Sequence, residues 1–489
     1  MTIYLVKKLL ANVFDCAKLK LGYTTLKKEK GIKMNKLSFK EKYSYGIGAF
    51  GKDLVYGIVG TYLMVYFTDV VKLNPAFVGT LFLVARLWDA VNDPAMGMIV
   101  DNTRSKWGKF RPWIFIGTVL NAVVLVGLFR KPDLEGLPLY AYFSIAYILW
   151  GMTYTIMDIP YWSMIPALTS DKEEREKVSV IPRIFASFGG LTIGTFGLTM
   201  IDFLGEGDKV KGYSMLAIVI AVIFVISSLI TCLNVKERIE TSKNTKKVNF
   251  KETLNIILKN DQLVIFIGIV LCMNLVMQIS GGMAIYYFTY VIGKENLFSI
   301  FIAFSGLAEV TALMTFPSLT KKLGREKVFK LGSILPIVGF LLLLVSGYVD
   351  PKNAVFIAIS GIVFKLGSGL LLASTTVMLA DVVDYGHYKL GTRNESIVFS
   401  VQTLLVKSAS AVSGWLVGVG LSLVGYVAGA TQTAQTILGM RVLMIGAPIL
   451  CAIIMYIIYK NKYKLNGKYY DHIVKSLRKK AEQDLNENM

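Results

Sequence analysis

The chain has 489 residues, a formal net charge of +20, 54% apolar residues and only 18% charged ones. A soluble chain of this length carries about 25% charged residues; here the apolar residues arrive in blocks of about 20, the length that spans a bilayer, which excludes a soluble enzyme. The basic residues sit in short loops rather than one stripe, which argues against nucleic acid as a partner.

Cys16, Cys232, Cys272 and Cys451 show neither paired nor metal-ligand spacing. His387 and His472, the two histidines, lie beside no carboxylate pair at depth, so a membrane-embedded enzyme is not expected. In chain order the apolar blocks predict about twelve helices, starting near Tyr45, Ala76, Trp113, Leu139, Arg183, Tyr213, Leu263, Phe298, Val328, Ala354, Ser396 and Arg441. Ahead of them, residues 1–42 read as a basic extension, interrupted too early by Lys7, Lys8 and Asp15 for a signal peptide. Met34 is expected to be the original start, with residues 1–33 an upstream addition.

The expected division is a six-helix bundle over 43–235, a linker over 236–260, a second bundle over 261–460 and a tail over 461–489. Basic, glycine-bearing loops recur at equivalent places, Gly97 to Asp101 with Lys106 to Lys109, and Pro317 to Lys327. Two such halves form a transporter architecture with the substrate site between them at mid-membrane. The predicted fold class is an all-α membrane protein of twelve transmembrane helices in two pseudo-symmetric six-helix bundles.

Alternate loops hold Arg104, Lys106, Lys109 and Arg111, then Lys172, Arg175 and Lys177, then the stretch from Lys236 to Lys251, and later Lys321 to Lys330, Lys389 and Arg393. The opposite loops hold about a third as many, which places both termini in the cytoplasm. The tail from Lys460, with Lys475 and Lys479, reads as a membrane-surface segment.

Charges inside the spans are the informative residues: Lys52 and Asp53, Arg86, Asp89 and Asp93, Asp158, and Lys407. Each costs about 2.5–3.5 kcal/mol at the bilayer centre, so they must face the interior and compensate one another or a ligand. Asp89 and Asp93 lie one turn apart on one helix face, with Asn92 adjacent. Their repulsion suits a bound alkali cation or a proton, since no His or Cys is near; the alternative is neutralisation by Arg86 and a lysine from another helix. Asp158 and Trp162 share a face, with Tyr154 and Thr155 a turn earlier. A carboxylate beside an indole suits a sugar, accepting from its hydroxyls and stacking on its C–H face. The alternative for Trp162 is the interfacial aromatic belt. Gln402, Thr403 and Lys407 group on helix 11 as ligand contacts or interhelical bonds. Glu309 and Lys365 are expected to pair between helices 8 and 10, and Asp381, Asp384, Tyr385, Lys389, Arg393 and Glu395 to latch the halves at the cytoplasmic face when the inner side is closed, the alternative being a solvated loop.

At these residues the sequence resembles the glycoside–pentoside–hexuronide cation symporters of the major facilitator superfamily, most strongly the melibiose-type permeases. The resemblance runs from about Tyr43 to Tyr470 and rests on Tyr45 to Asp53, Thr80 to Arg86 and on through Asp89 to Pro94, Gly151 to Pro160, and Asp381 to Lys407. It implies a cation site of Asp89, Asn92, Asp93 and Thr155, with Asp158 shared. It implies that Lys52, Asp53, Tyr154, Asp158, Trp162, Arg183, Gln402, Thr403 and Lys407 surround the sugar. Leu372 departs from the melibiose-type pattern, which has a second tryptophan there, so the expected stacking clamp lacks one wall.

The expected activity is import of melibiose or a related galactoside by symport with a monovalent cation. Na+ at Asp89 and Asp93 is favoured by the neutral oxygens of Asn92 and Thr155, with Li+ or H+ as alternatives. The rival readings are a proton-coupled symporter of another glycoside, pentoside or hexuronide, a non-transporting sugar sensor and a drug-type exporter. No cofactor is expected; the partners are the glycoside, the cation, the lipid bilayer and an unnamed cytoplasmic regulatory protein. The expected address is the plasma (inner) membrane.

Overall fold

A computed structural model describes residues 37–169, 172–238, 257–391 and 395–487. The extension before Leu37, most of the linker, and Arg393 lie outside the described residues. Twelve long helices follow one another: α1 (Phe39–Val65, continued by Tyr66–Val70), α2 (Pro75–Asn102), α3 (Arg111–Leu128), α4 (Gly136–Ser163), α5 (Lys172–Gly205) and α6 (Lys209–Asn234). After the linker come α7 (Asp261–Tyr286, continued by Tyr287–Val291), α8 (Asn296–Leu323), α9 (Arg325–Val349), α10 (Ala354–Leu390), α11 (Glu395–Leu423) and α12 (Ala434–Lys462). A final helix, α13 (Gly467–Glu487), runs along the end of the chain.

Local chemistry sets the helix ends. Ser38 and Glu41 form a reciprocal capping box at the start of α1. Asn74 accepts from the amides of Ala76 and Phe77 with Pro75 in the first turn of α2, and Asn353 caps α10 in the same way. Nine helices among the described residues are long and apolar enough to cross a membrane. The other three long ones, α1, α2 and α4, are those that carry Lys52, Asp53, Arg86, Asp89, Asp93 and Asp158. The helices that look least membrane-like thus carry six of the seven interior charges that the sequence singles out, the seventh being Lys407 on α11.

The apolar blocks locate the helices but not their starts. Helix α5 begins at Lys172 rather than Arg183, and α12 at Ala434 rather than Arg441. Lys172, Arg175 and Lys177 are thus helical rather than loop residues, and Gly97 to Asp101 is the last stretch of α2. The reason is physical: a helix outlasts the hydrocarbon core, so its polar end turns carry no hydropathy signal.

Within the first half α1 packs on α5 and α6, and α3 on α4; within the second α10 packs on α8 and α9, and α7 on α11 and α12. The halves meet along two seams, α2 against α11 and α5 against α8. The first seam is tight because small residues line it: a Cβ on Gly418 would lie 2.8 Å from Gly79 Cα.

Candidate functional site

Two charge clusters meet on α4. The first forms around Lys52, which is 4% exposed. Its ammonium lies 2.9 Å from Asp158 Oδ1, 3.1 Å from Asp53 Oδ2 and 3.4 Å from the Tyr154 hydroxyl. It also sits 5.0 Å from the centre of the Trp162 ring, and the Arg183 guanidinium stands 5.8 Å from that ring. The Trp162 indole N–H donates to Asp158 Oδ1 at 3.1 Å. Lys52 thus bridges Asp53 and Asp158, with Arg183 stacked over the Trp162 ring beside them, and every member was singled out from sequence. Trp162 is bound into this cluster by its N–H rather than standing alone in an aromatic belt.

The backbone around this cluster is held by groups that sequence reasoning missed. Tyr45 and Tyr161 stack with ring centroids 4.5 Å apart, and each hydroxyl donates to the other's main-chain carbonyl. That pins α1 to α4 beside Lys52. Gly189 lets α5 close on α1, since a Cβ there would lie 2.8 Å from the Phe50 carbonyl and 3.2 Å from Asp53 Cβ. On the far side, Asn121 of α3 donates to Trp150 O and Thr153 Oγ, both at 2.9 Å, which fixes α4 from behind. Paired tyrosines 116 residues apart and a single Asn in an apolar block give no local pattern to find.

The second cluster lies between α2, α4 and α11. Thr155 Oγ donates to Asp93 Oδ1 at 3.0 Å, and the Lys407 ammonium binds Asp93 Oδ2. Arg86 pairs with Asp89 one turn along α2 at 2.9 Å. Asp89 is 6% exposed, and Gly151 of α4 opens space against its Oδ1. The Asn92 side-chain nitrogen is buried with no hydrogen-bond partner among the described residues. The structure therefore shows the neutralised arrangement, with Arg86 and Lys407 on the two carboxylates. Asp89, Asp93, Thr155 and Asn92 offer hard oxygens without a sulfur or imidazole, a donor set that fits an alkali cation once Lys407 withdraws.

Other expectations fall differently. Asp158 spends Oδ1 on Lys52 and Trp162 and makes no described contact with Asp89 or Asp93. Thr403 is one turn from Lys407 on α11, whereas Gln402, five residues away, projects from a different face. Leu372 is half-buried in the second half. Asp381 and Asp384 lie within α10; Asp381 pairs with Arg325 at 3.2 Å, and Asp384 accepts from Tyr470 of α13 at 3.0 Å. Tyr385 and Lys389 both bind Asp261 of α7. These described contacts tie the second half and its tail helix together. Glu309 and Lys365 pair between α8 and α10 at 2.8 Å as expected.

Residues 44–467 match the family described as MFS/sugar transport protein. The chain is 33% identical to the isoprimeverose transporter of Lactiplantibacillus pentosus over 86% of its own length and 87% of that protein's. It is 30% identical to the lactose permease of Leuconostoc lactis, covering 90% of this chain and 72% of that one. Among solved structures, a variant of the nucleoside transporter NupG superposes with a TM-score of 0.63 at 15% identity, covering 86% of this chain and 100% of that one. Fold and interior charges together define a sugar transporter of the major facilitator superfamily, and not an enzyme. Within that class the chain belongs to the glycoside–pentoside–hexuronide symporters.

Proposed function

We propose that this symporter imports a glycoside, melibiose or a related galactoside, together with Na+ across the plasma membrane. The observation that carries this reading is the meeting of the two clusters on α4, where Thr155 donates to Asp93 of the carboxylate pair and Asp158, three residues on, binds Lys52 of the sugar-type set. Sodium entering at Asp89 and Asp93 competes with Lys407 for Asp93. The released ammonium then joins Thr403 as a donor toward sugar hydroxyls, while Asp158 Oδ2 accepts from them and Trp162 stacks on the ring. The bodies 43–235 and 261–460 rock about the two seams, and both termini stay on the cytoplasmic side. The names of the relatives, isoprimeverose and lactose, support a glycoside while differing in the sugar.

Uptake of a labelled galactoside into inside-negative vesicles tests the reading, with and without a sodium gradient and with a protonophore present. Sodium-driven accumulation that survives the protonophore is the expected result. Accumulation lost to the protonophore and indifferent to sodium makes the carboxylates a proton site. No accumulation under either gradient rejects the galactoside and directs attention to Leu372.

A further inference from the structure

The two halves repeat a short sequence that the α4 clusters do not use. Tyr66-Phe67-Thr68-Asp69-Val70 closes α1 and Tyr287-Phe288-Thr289-Tyr290-Val291 closes α7, and each forms the same wide π turn. The two copies differ at one position, Asp69 in the first half and Tyr290 in the second. Those unlike residues meet, with the Tyr290 hydroxyl donating to Asp69 Oδ2 at 2.5 Å. Tyr426, just past α11, donates to Asp69 Oδ1, and Thr68 Oγ lies 2.7 Å from both Oδ1 and the Tyr286 hydroxyl. The Gly429 amide donates to the Tyr290 hydroxyl at 3.1 Å. Thr68 and Tyr286 are each 1% exposed, and Tyr426 is 7% exposed.

This knot sits at the end of α1 away from the basic loops, where other bonds also join the halves. Lys72 donates to Ala428 O at 3.2 Å, the Ala76 amide to Ser422 Oγ at 3.1 Å, and Lys209 pairs with Glu295 at 3.1 Å. We propose that Asp69, clasped by Tyr290 and Tyr426 of the other half, is the outer gate of the transporter, which must part for sugar to enter. The assignment of this end as outer rests on the transport reading above. Hydrogen bonds to a carboxylate are short and roughly twice as strong as neutral ones, so the clasp is firm. A phenol carries no charge when it lets go, so parting the clasp itself hydrates one carboxylate without separating two ions; the ion pair at this end, Lys209–Glu295, is the more exposed bond. That makes the clasp reversible on a transport cycle, where a buried lysine–aspartate pair would hold harder.

The test uses full-length protein in sealed vesicles with Cys16, Cys232, Cys272 and Cys451 replaced by serine and Ser422→Cys added as a reporter on the seam. Tyr290→Phe and Tyr426→Phe keep the rings and remove one hydroxyl each. Each is expected to speed alkylation of the reporter by a membrane-impermeant maleimide, added from outside, about tenfold. Apparent sugar affinity from outside should tighten by the same factor, because the entry-competent state becomes more populated, while the maximal uptake rate falls. A purely structural role would lower protein yield and rate without faster alkylation or tighter external binding. Alkylation unchanged in both phenylalanine variants overturns the gate. Alkylation accelerated in a protein that takes up no glycoside leaves the gate standing and rejects the transport reading instead.

Discussion

Lys52 and Lys407 set the chemistry of the interior, because each ammonium is held by a carboxylate that, on the proposed function, a cargo molecule also needs. Replacing Asp93 by cysteine removes the group that Lys407 binds and that the proposed function gives to the cation. Concentrative uptake should be lost while downhill sugar exchange persists, as read by counterflow in vesicles; retained uphill transport would sink the cation assignment. Asp158→Asn keeps the shape of the side chain but weakens its bonds to Lys52 and to sugar hydroxyls. Sugar affinity should fall at least tenfold in saturating sodium, about the worth of one charge-assisted hydrogen bond, measurable by displacement of a fluorescent glycoside. The residues themselves were legible in the sequence because a charge inside an apolar block is conspicuous and costly. Their partners were not, since spacing along one helix gives a face and never says which residue of another helix stands opposite. The Arg86–Asp89 pair was open to sequence as neighbours three apart on one helix, and a lysine from another helix was the alternative reading; which lysine, and the Tyr45–Tyr161 pair, needed three dimensions.

Among the elements, the α2–α11 seam depends on glycine where backbones touch. Gly418→Val puts a branched side chain against Gly79, and the halves must part or shift to admit it. The variant should assemble in the membrane yet transport at a small fraction of the normal rate, with limited proteolysis showing a changed cleavage pattern; normal transport would show that the seam has slack. Between α8 and α10, Glu309→Gln leaves Lys365 uncompensated, and the detergent melting temperature should drop. Adding Lys365→Met should restore most of it, as measured in a double-mutant cycle; additive losses would mean that the two side chains act separately. Helix number and order were readable from apolar blocks, but helix ends were not, as Lys172 in α5 and Gly97 to Asp101 in α2 show. Neither was the arrangement of Asp381 and Asp384, which bind Arg325 and Tyr470 on their own side of the molecule.

At the scale of the whole molecule, two halves touch along two seams, Lys407 of one reaches Asp93 of the other, and one helix, α4, joins the two charge clusters. Helix α4 carries Thr155 toward Asp93 and Asp158 toward Lys52, so whatever orders one cluster is felt by the other. On the proposed function this shared helix is the route by which sugar and cation would couple, and linkage requires that each ligand tighten the other by the same factor. The most direct check is calorimetric titration of the purified protein with a galactoside across a series of sodium concentrations, at fixed pH, for the unsubstituted chain and for Asp93→Cys. The account predicts that sodium tightens sugar binding severalfold, that sugar tightens sodium binding equally, and that Asp93→Cys abolishes the dependence while leaving sugar binding measurable. Sugar binding of one strength at every sodium concentration, in both proteins, would contradict it.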